Sequence, residues 1–162
     1  MATRYAAGTD VPADRSIAEV RRILRNYGAT GFVFAEDEQR AVIGFVVHDR
    51  QVRFVLPMPD PKDREFTRTP TGRSRTAIAA VEAYEAAVRQ VYRVFVVVIK
   101  AKLAAVESNL ISFEDEFLAF LVLPGGETVG EATRPGIAQA YATGQVPALL
   151  PDYRRAIEVG KS

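Results

Sequence analysis

The chain has 162 residues, 48% apolar and 25% charged, and its 21 Lys and Arg against 20 Asp and Glu leave a formal charge of +1. Having no Cys and a single His, it excludes disulfides, a thiol nucleophile, thiolate metal sites and paired-His metal sites, and it gives a Ser-His-Asp triad little support. One globular domain over residues 1–162 is the expectation, and the longest apolar run, Val94 to Ile99, falls far short of a membrane span.

Residues 1–14, with Pro12 and several polar side chains, are expected as an extended lead-in. Ser16 and Glu19 have capping-box spacing, which predicts a helix starting at Ser16. Ile17, Val20, Ile23, Leu24 and Tyr27 continue it at helical intervals, Arg21, Arg22 and Arg25 occupy the rest of its surface, and Gly28 suits a left-handed end. Three strands should follow. Gly31–Ala35 is the first. Arg40–Val47, apolar on both faces, reads as a central strand. Gln51–Leu56 alternates, with Val52, Phe54 and Leu56 directed inward. Turns at Glu36–Gln39 and His48–Arg50 make this a three-stranded antiparallel meander.

Pro57, Pro59, Pro61 and Pro70 mark a long connection. Between Arg73 and Leu123 there is no Gly or Pro. Arg75, Glu82, Glu85, Arg89, Arg93, Lys100 and Glu107 fall within about 80° of one another at 100° per residue. That stripe predicts a long helix from about Thr76 to Ser108, with its largely apolar circumference buried. Ser112 and Asp115 have the spacing of another cap and start a short helix. Leu121–Leu123 and Thr128–Val129 flank a turn as a small hairpin, and a last helix is expected over Pro135–Thr143, ended by Gly144. Residues 145–162 read as an extended tail. The class is α+β: N-terminal helix, meander, one long central helix, then short helices and a small hairpin.

The charge of +1 conceals a polarised chain. Residues 15–25 carry +3, residues 66–102 hold seven basic and two acidic side chains, and residues 103–133 hold six acidic and no basic ones. Within the basic stretch and its approach, Lys62, Arg64, Arg68, Thr69, Thr71, Arg73 and Arg75 lead into a helix N-terminus. Cationic, hydroxyl and glycine residues at such a place form a candidate phosphate cradle or a track for a nucleic-acid backbone; the competing reading is a solvated loop. Arg89 and Arg93 extend the basic region along the long helix, and Arg53 lies at its margin. The 17 Arg against 4 Lys suit phosphate recognition, but GC-rich coding gives the same bias. Lys102, on the opposite and apolar side of the helix, is expected to snorkel to water. Glu114, Asp115 and Glu116 are candidates for a metal or an acid/base pair, although acidic residues in a first helical turn also compensate the dipole. His48 is expected to be solvated in its turn. No catalytic residue, metal site or cofactor is assigned.

Five segments, Tyr5–Pro12, Phe54–Pro57, Phe66–Arg73, Val98–Leu103 and Phe113–Ala119, together resemble a family of small proteins encoded by tailed phages and prophages. The resemblance implies a phage origin and action in the host cytoplasm, and brings no activity with it. Separately, the order helix, meander, long helix is similar to the core of single-strand annealing proteins that phages encode. The functional expectation is a non-catalytic, homo-oligomeric nucleic-acid-binding protein of phage DNA metabolism favouring single-stranded DNA, with Arg68, Arg73, Arg75, Arg89 and Arg93 on phosphates. The alternative is an anti-defence or host-interaction protein that holds a phosphorylated small ligand at Thr69–Arg75 or docks on a host protein. No membrane partner is expected.

Overall fold

The computed structural model describes residues 10–150; the sequence expectations for residues 1–9 and 151–162 lie outside them. The elements in chain order are α1 (Asp10–Tyr27), β1 (Thr30–Glu36), β2 (Arg40–Val47), β3 (Arg50–Pro57), α2 (Arg64–Thr67), α3 (Ala77–Glu107), α4 (Phe113–Phe117) with a 3-10 turn at Leu118–Phe120, and α5 (Val129–Thr143). This is the α+β arrangement that the hydrophobic periodicities predict.

The strands form one antiparallel sheet in the order β1-β2-β3. Val47 pairs with Arg50, so His48 and Asp49 are the two residues of the hairpin turn, at φ 48° and 59°. Two consecutive positive φ angles match the right-handed twist of the strands. On one sheet face Ala41, Ile43, Phe45 and Val47 of β2 and Val52 and Phe54 of β3 are buried. They meet Ile17, Val20 and Leu24 of α1 and Tyr92, Phe95, Val96, Ile99 and Leu103 of α3, and Phe113 and Phe117 close the end of the core. Rings connect these layers: Phe54 stacks on Phe120 with centroids 4.1 Å apart and meets Phe95 edge-on at 5.2 Å.

α3 follows its predicted limits closely. Thr76 caps it by accepting from the Ala79 amide, and Ser108 ends it. Ser112 likewise accepts from the Asp115 amide at the start of α4. Gly28 (φ 106°) terminates α1, where the Ala29 amide reaches back to the Leu24 carbonyl at 2.9 Å.

Four expectations need correction. Residues 10–14 are helical rather than extended, and Ser16 lies inside α1 instead of capping it. Pro12 falls in the first helical turn, where its missing N–H costs nothing, and Ala13 extends the apolar stripe onto the core. α5 starts six residues before Pro135, because Thr128 and Glu131 form a reciprocal capping box and Pro135 is carried within the helix. With Thr128 committed to that cap, the small hairpin shrinks to a single bridge, Val122 to Thr128. Finally, α3 is not buried around most of its circumference: Val94, Val97 and Val98 are 49%, 65% and 36% exposed. The sheet and α1 are broad enough to cover one stripe of it. The outer sheet face is likewise open, with Val33 and Val55 exposed. Residues 145–150 form no helix or strand, and Pro147 and Leu149 lie close to Gly136 of α5.

Candidate nucleic-acid interface

The connection between β3 and α3 is an ordered, internally bonded loop. After the single turn of α2, Arg68 and Ser74 form a bridge. The Thr69 amide donates to the Arg73 carbonyl at 2.8 Å, the Gly72 amide to the Thr69 carbonyl at 2.8 Å, and the Arg75 amide to the Thr67 carbonyl at 2.9 Å. The Thr69 and Thr71 hydroxyls lie 3.0 Å apart, and Thr69 Oγ1 also accepts from the Arg73 amide. Arg68 donates to the Gly72 carbonyl and Arg75 to the Arg68 carbonyl, each at 3.1 Å. The donors expected to cradle a phosphate are therefore largely spent on closing the loop. Lys62, Arg64 and Arg73 remain exposed.

The loop is fastened to α3 by Phe66, which is buried and meets Tyr84 edge-on at 5.7 Å. Arg89 and Arg93 follow Tyr84 by five and nine residues, about 140° and 180° around the helix. The loop arginines and the helix arginines are thus anchored on different sides of α3. Arg53 is withdrawn from both groups, its guanidinium donating to Glu131 at 2.7 Å.

What α3 does face with Lys100 is α1, and Arg93 stands two turns earlier at nearly the same angle of α3. Lys100 Nζ donates to Glu19 Oε1 at 2.6 Å, and this bond, with the nearby Arg22 charge adding to it, holds the Glu19 carboxyl below its ordinary pKa. Arg15 and Arg22 stand four residues before and three after Glu19, on the same side of α1. Arg15, Arg22, Arg93 and Lys100 are all exposed along this seam. Arg89 adjoins it and pairs with Glu85 at 3.9 Å. The α1 arginines were absent from the expected site. Their only signal in the sequence was the +3 of residues 15–25, and nothing local shows that this segment lies beside α3. Tyr92, adjacent to Arg93, is wholly buried with its hydroxyl on Glu36, so it presents no ring for base stacking.

The acidic stretch has structural partners within the chain. Glu116 accepts from Lys102 at 3.0 Å, and Lys102 lies over the rings of Phe117 and Phe120. Lys102 therefore ends in a part-buried ion pair, not in water. Asp115 accepts from the Ser112 hydroxyl at 2.7 Å. Glu131 is held below the ordinary carboxylate range, first by the Thr128 amide and then by Arg53. Among the described residues no group of three or more His, Asp and Glu side chains is arranged to hold a metal ion. His48 is exposed, its ring edge-on to Phe113.

No protein-family model, curated protein or solved structure matches this chain. The functional reading accordingly rests on the chemistry of the site.

Proposed function

We propose that this is a non-catalytic nucleic-acid-binding protein of phage DNA metabolism that favours single strands and acts in the host cytoplasm. The observation that carries the reading is the α1–α3 seam, where Arg15, Arg22, Arg93 and Lys100 line one exposed strip in which Lys100 pairs with Glu19 and Glu107 stands at the end beside Tyr27. Guanidinium groups in a row suit a run of phosphates, which they neutralise with release of counterions. With no exposed ring among the described residues of the seam, the contacts go to the backbone and binding is largely independent of base sequence. Lys62, Arg64 and Arg73 form a second, smaller cationic group at the loop. The preference for single strands comes from the element order helix, meander, long helix, and not from the seam, whose cations would serve either form of nucleic acid.

Anisotropy of a labelled single-stranded oligonucleotide tests this. Affinity should fall with salt at a log–log slope of about −0.7 per phosphate neutralised. Arg22→Glu with Arg93→Glu should weaken binding by at least about tenfold and flatten the slope, and Arg64→Glu with Arg73→Glu should do so less. Absence of binding at low salt would refute the reading. Thermal stabilisation by one mono-, di- or cyclic nucleotide, with indifference to oligonucleotides, would instead favour a host-interaction protein that holds a small phosphorylated ligand at Thr69–Arg75.

A further inference from the structure

The bare side of α3 is a built surface. Opposite the buried stripe, the helix presents alanines and valines at intervals of three and four residues, with Gln90 as the polar exception near the middle. Among these, Val97 is 65% exposed and Val94 49%. The stripe extends about 39 Å from residue 79 to residue 105. Contiguous apolar surface of this length on a helix marks a contact with another helix.

Two features decide which helix. The first is that the stripe is self-complementary about Tyr92. Reversing the helix end for end about that residue brings Ala83 level with Ala101, Ala87 with Val97 and Gln90 with Val94, so that every stripe position meets another stripe position and Ala87 meets the larger Val97. The second is the order of charges along the flanking stripe, acidic at Glu82, basic at Arg93 and Lys100. In an antiparallel pair the same flank of each helix meets its equivalent. Lys100 of one copy then stands level with residue 84 of the other, within about one turn of Glu82 on the same flank. A parallel pair sets this flank against the side bearing Ala80, Val91 and Val98, whose one charge, Lys102, has the same sign as Lys100 and is already paired with Glu116.

We infer that a second copy of this chain covers the outer face of α3, the two helices packing antiparallel about a two-fold axis at Tyr92. Such an interface is isologous, and its alanines permit close approach of the helices. The axis also brings Arg93 of the two copies together on one flank as a cluster of two guanidinium groups, while Arg89 stays on Glu85. If the nucleic-acid reading holds, that cluster joins the two basic seams, and an oligonucleotide long enough to span both strengthens the dimer.

Sedimentation and light scattering of the protein without nucleic acid give the first test, and a dimer is expected. Val97→Glu should raise the dissociation constant at least about a hundredfold, because symmetry buries the unpaired carboxylate twice. Val55→Glu on the outer sheet face should leave the dimer intact, and circular dichroism should show both variants folded. The natural absence of cysteine allows a second test that does not depend on those variants. Ala87→Cys and Val97→Cys, each on its own, should form few disulfide-linked dimers on oxidation, and the two mixed should link readily. A monomer at every concentration, a dimer lost with Val55→Glu but kept with Val97→Glu, or ready linking of either cysteine variant alone would overturn the inference. A monomer that still binds oligonucleotides through Arg93 would overturn it and leave the nucleic-acid reading standing.

Discussion

Tyr92 illustrates how one residue can be assigned to the core and still carry an unanticipated polar contact. Its ring lies in the buried stripe of α3, edge-on to Phe34, while its hydroxyl reaches the carboxylate of Glu36 at the end of β1. Burial, followed by that hydrogen bond and the Glu36 charge, raises the phenol pKa well above its ordinary 10.0. The folded chain therefore keeps this proton where the unfolded chain loses it. The stabilisation is fully present below pH 10 and is lost as pH rises towards the folded value. Tyr92→Phe should lower stability at neutral pH by about 1 kcal/mol, and should make the alkaline fall in denaturant midpoint shallower than in the natural chain. An unchanged alkaline limb would remove the Glu36 contact from the account. Lys102 teaches the same lesson. Its position on the apolar side of α3 was evident in the sequence, but its partner Glu116, fourteen residues on, was not.

At the level of elements, caps and turns account for both the agreements and the errors. Thr76 and Ser112 each have a helix-forming run immediately after them and compete with no better cap. At Ser16 the spacing to Glu19 is equally good, but the upstream residues Asp10–Arg15 are themselves able to continue the helix onto the core. The Thr128 and Glu131 spacing is the same signal, obscured by Pro135, which suggests a later start than the helix takes. The β2–β3 turn offers a prediction. His48 and Asp49 both hold positive φ, a region that most side chains avoid, that Asn, Asp and His tolerate better than others, and that glycine adopts freely. Asp49→Gly should raise thermal stability by up to about 1 kcal/mol, read from the calorimetric midpoint, because glycine adopts this conformation without strain. A destabilised variant would mean that the Asp49 side chain makes a contribution the turn geometry does not reveal.

At the scale of the whole molecule, ion pairs connect segments distant in sequence: Glu19 to Lys100 joins α1 to α3, and Glu131 to Arg53 joins α5 to β3. The carboxyl groups of Glu19 and Glu131 are both held below their ordinary values. Between the lowered folded pKa and the ordinary value of 4.5, the unfolded chain binds more protons than the folded one, so stability rises with pH there. This contribution should be complete above that ordinary value and lost as pH falls through the folded one. Acid titration monitored by circular dichroism should show Glu131→Gln with a weaker acid dependence than the natural chain. An identical acid limb would mean that Glu131 stays solvated. These pairs also explain why the separation of +5 and −6 stretches is not simply displayed at the surface: Lys102 and Glu116, from opposite stretches, neutralise one another inside the fold.

The sequence by itself determined the class, the strand order, the limits of α3 and the glycine ends of α1 and α5, because each depends on periodicity, capping or φ within a few neighbouring residues. It also located the basic stretch. Tertiary structure alone decided that Arg53, Arg68 and Arg75 are engaged within the chain, that the loop and helix arginines sit on different sides of α3, and that α1 brings Glu19 and Arg22 to Lys100. It likewise decided that an apolar side of α3 stays exposed. Apolar residues in a helix show that burial is favourable, but whether they are covered depends on how much surface the rest of the chain brings against them. Three strands and one helix bring enough for a single stripe.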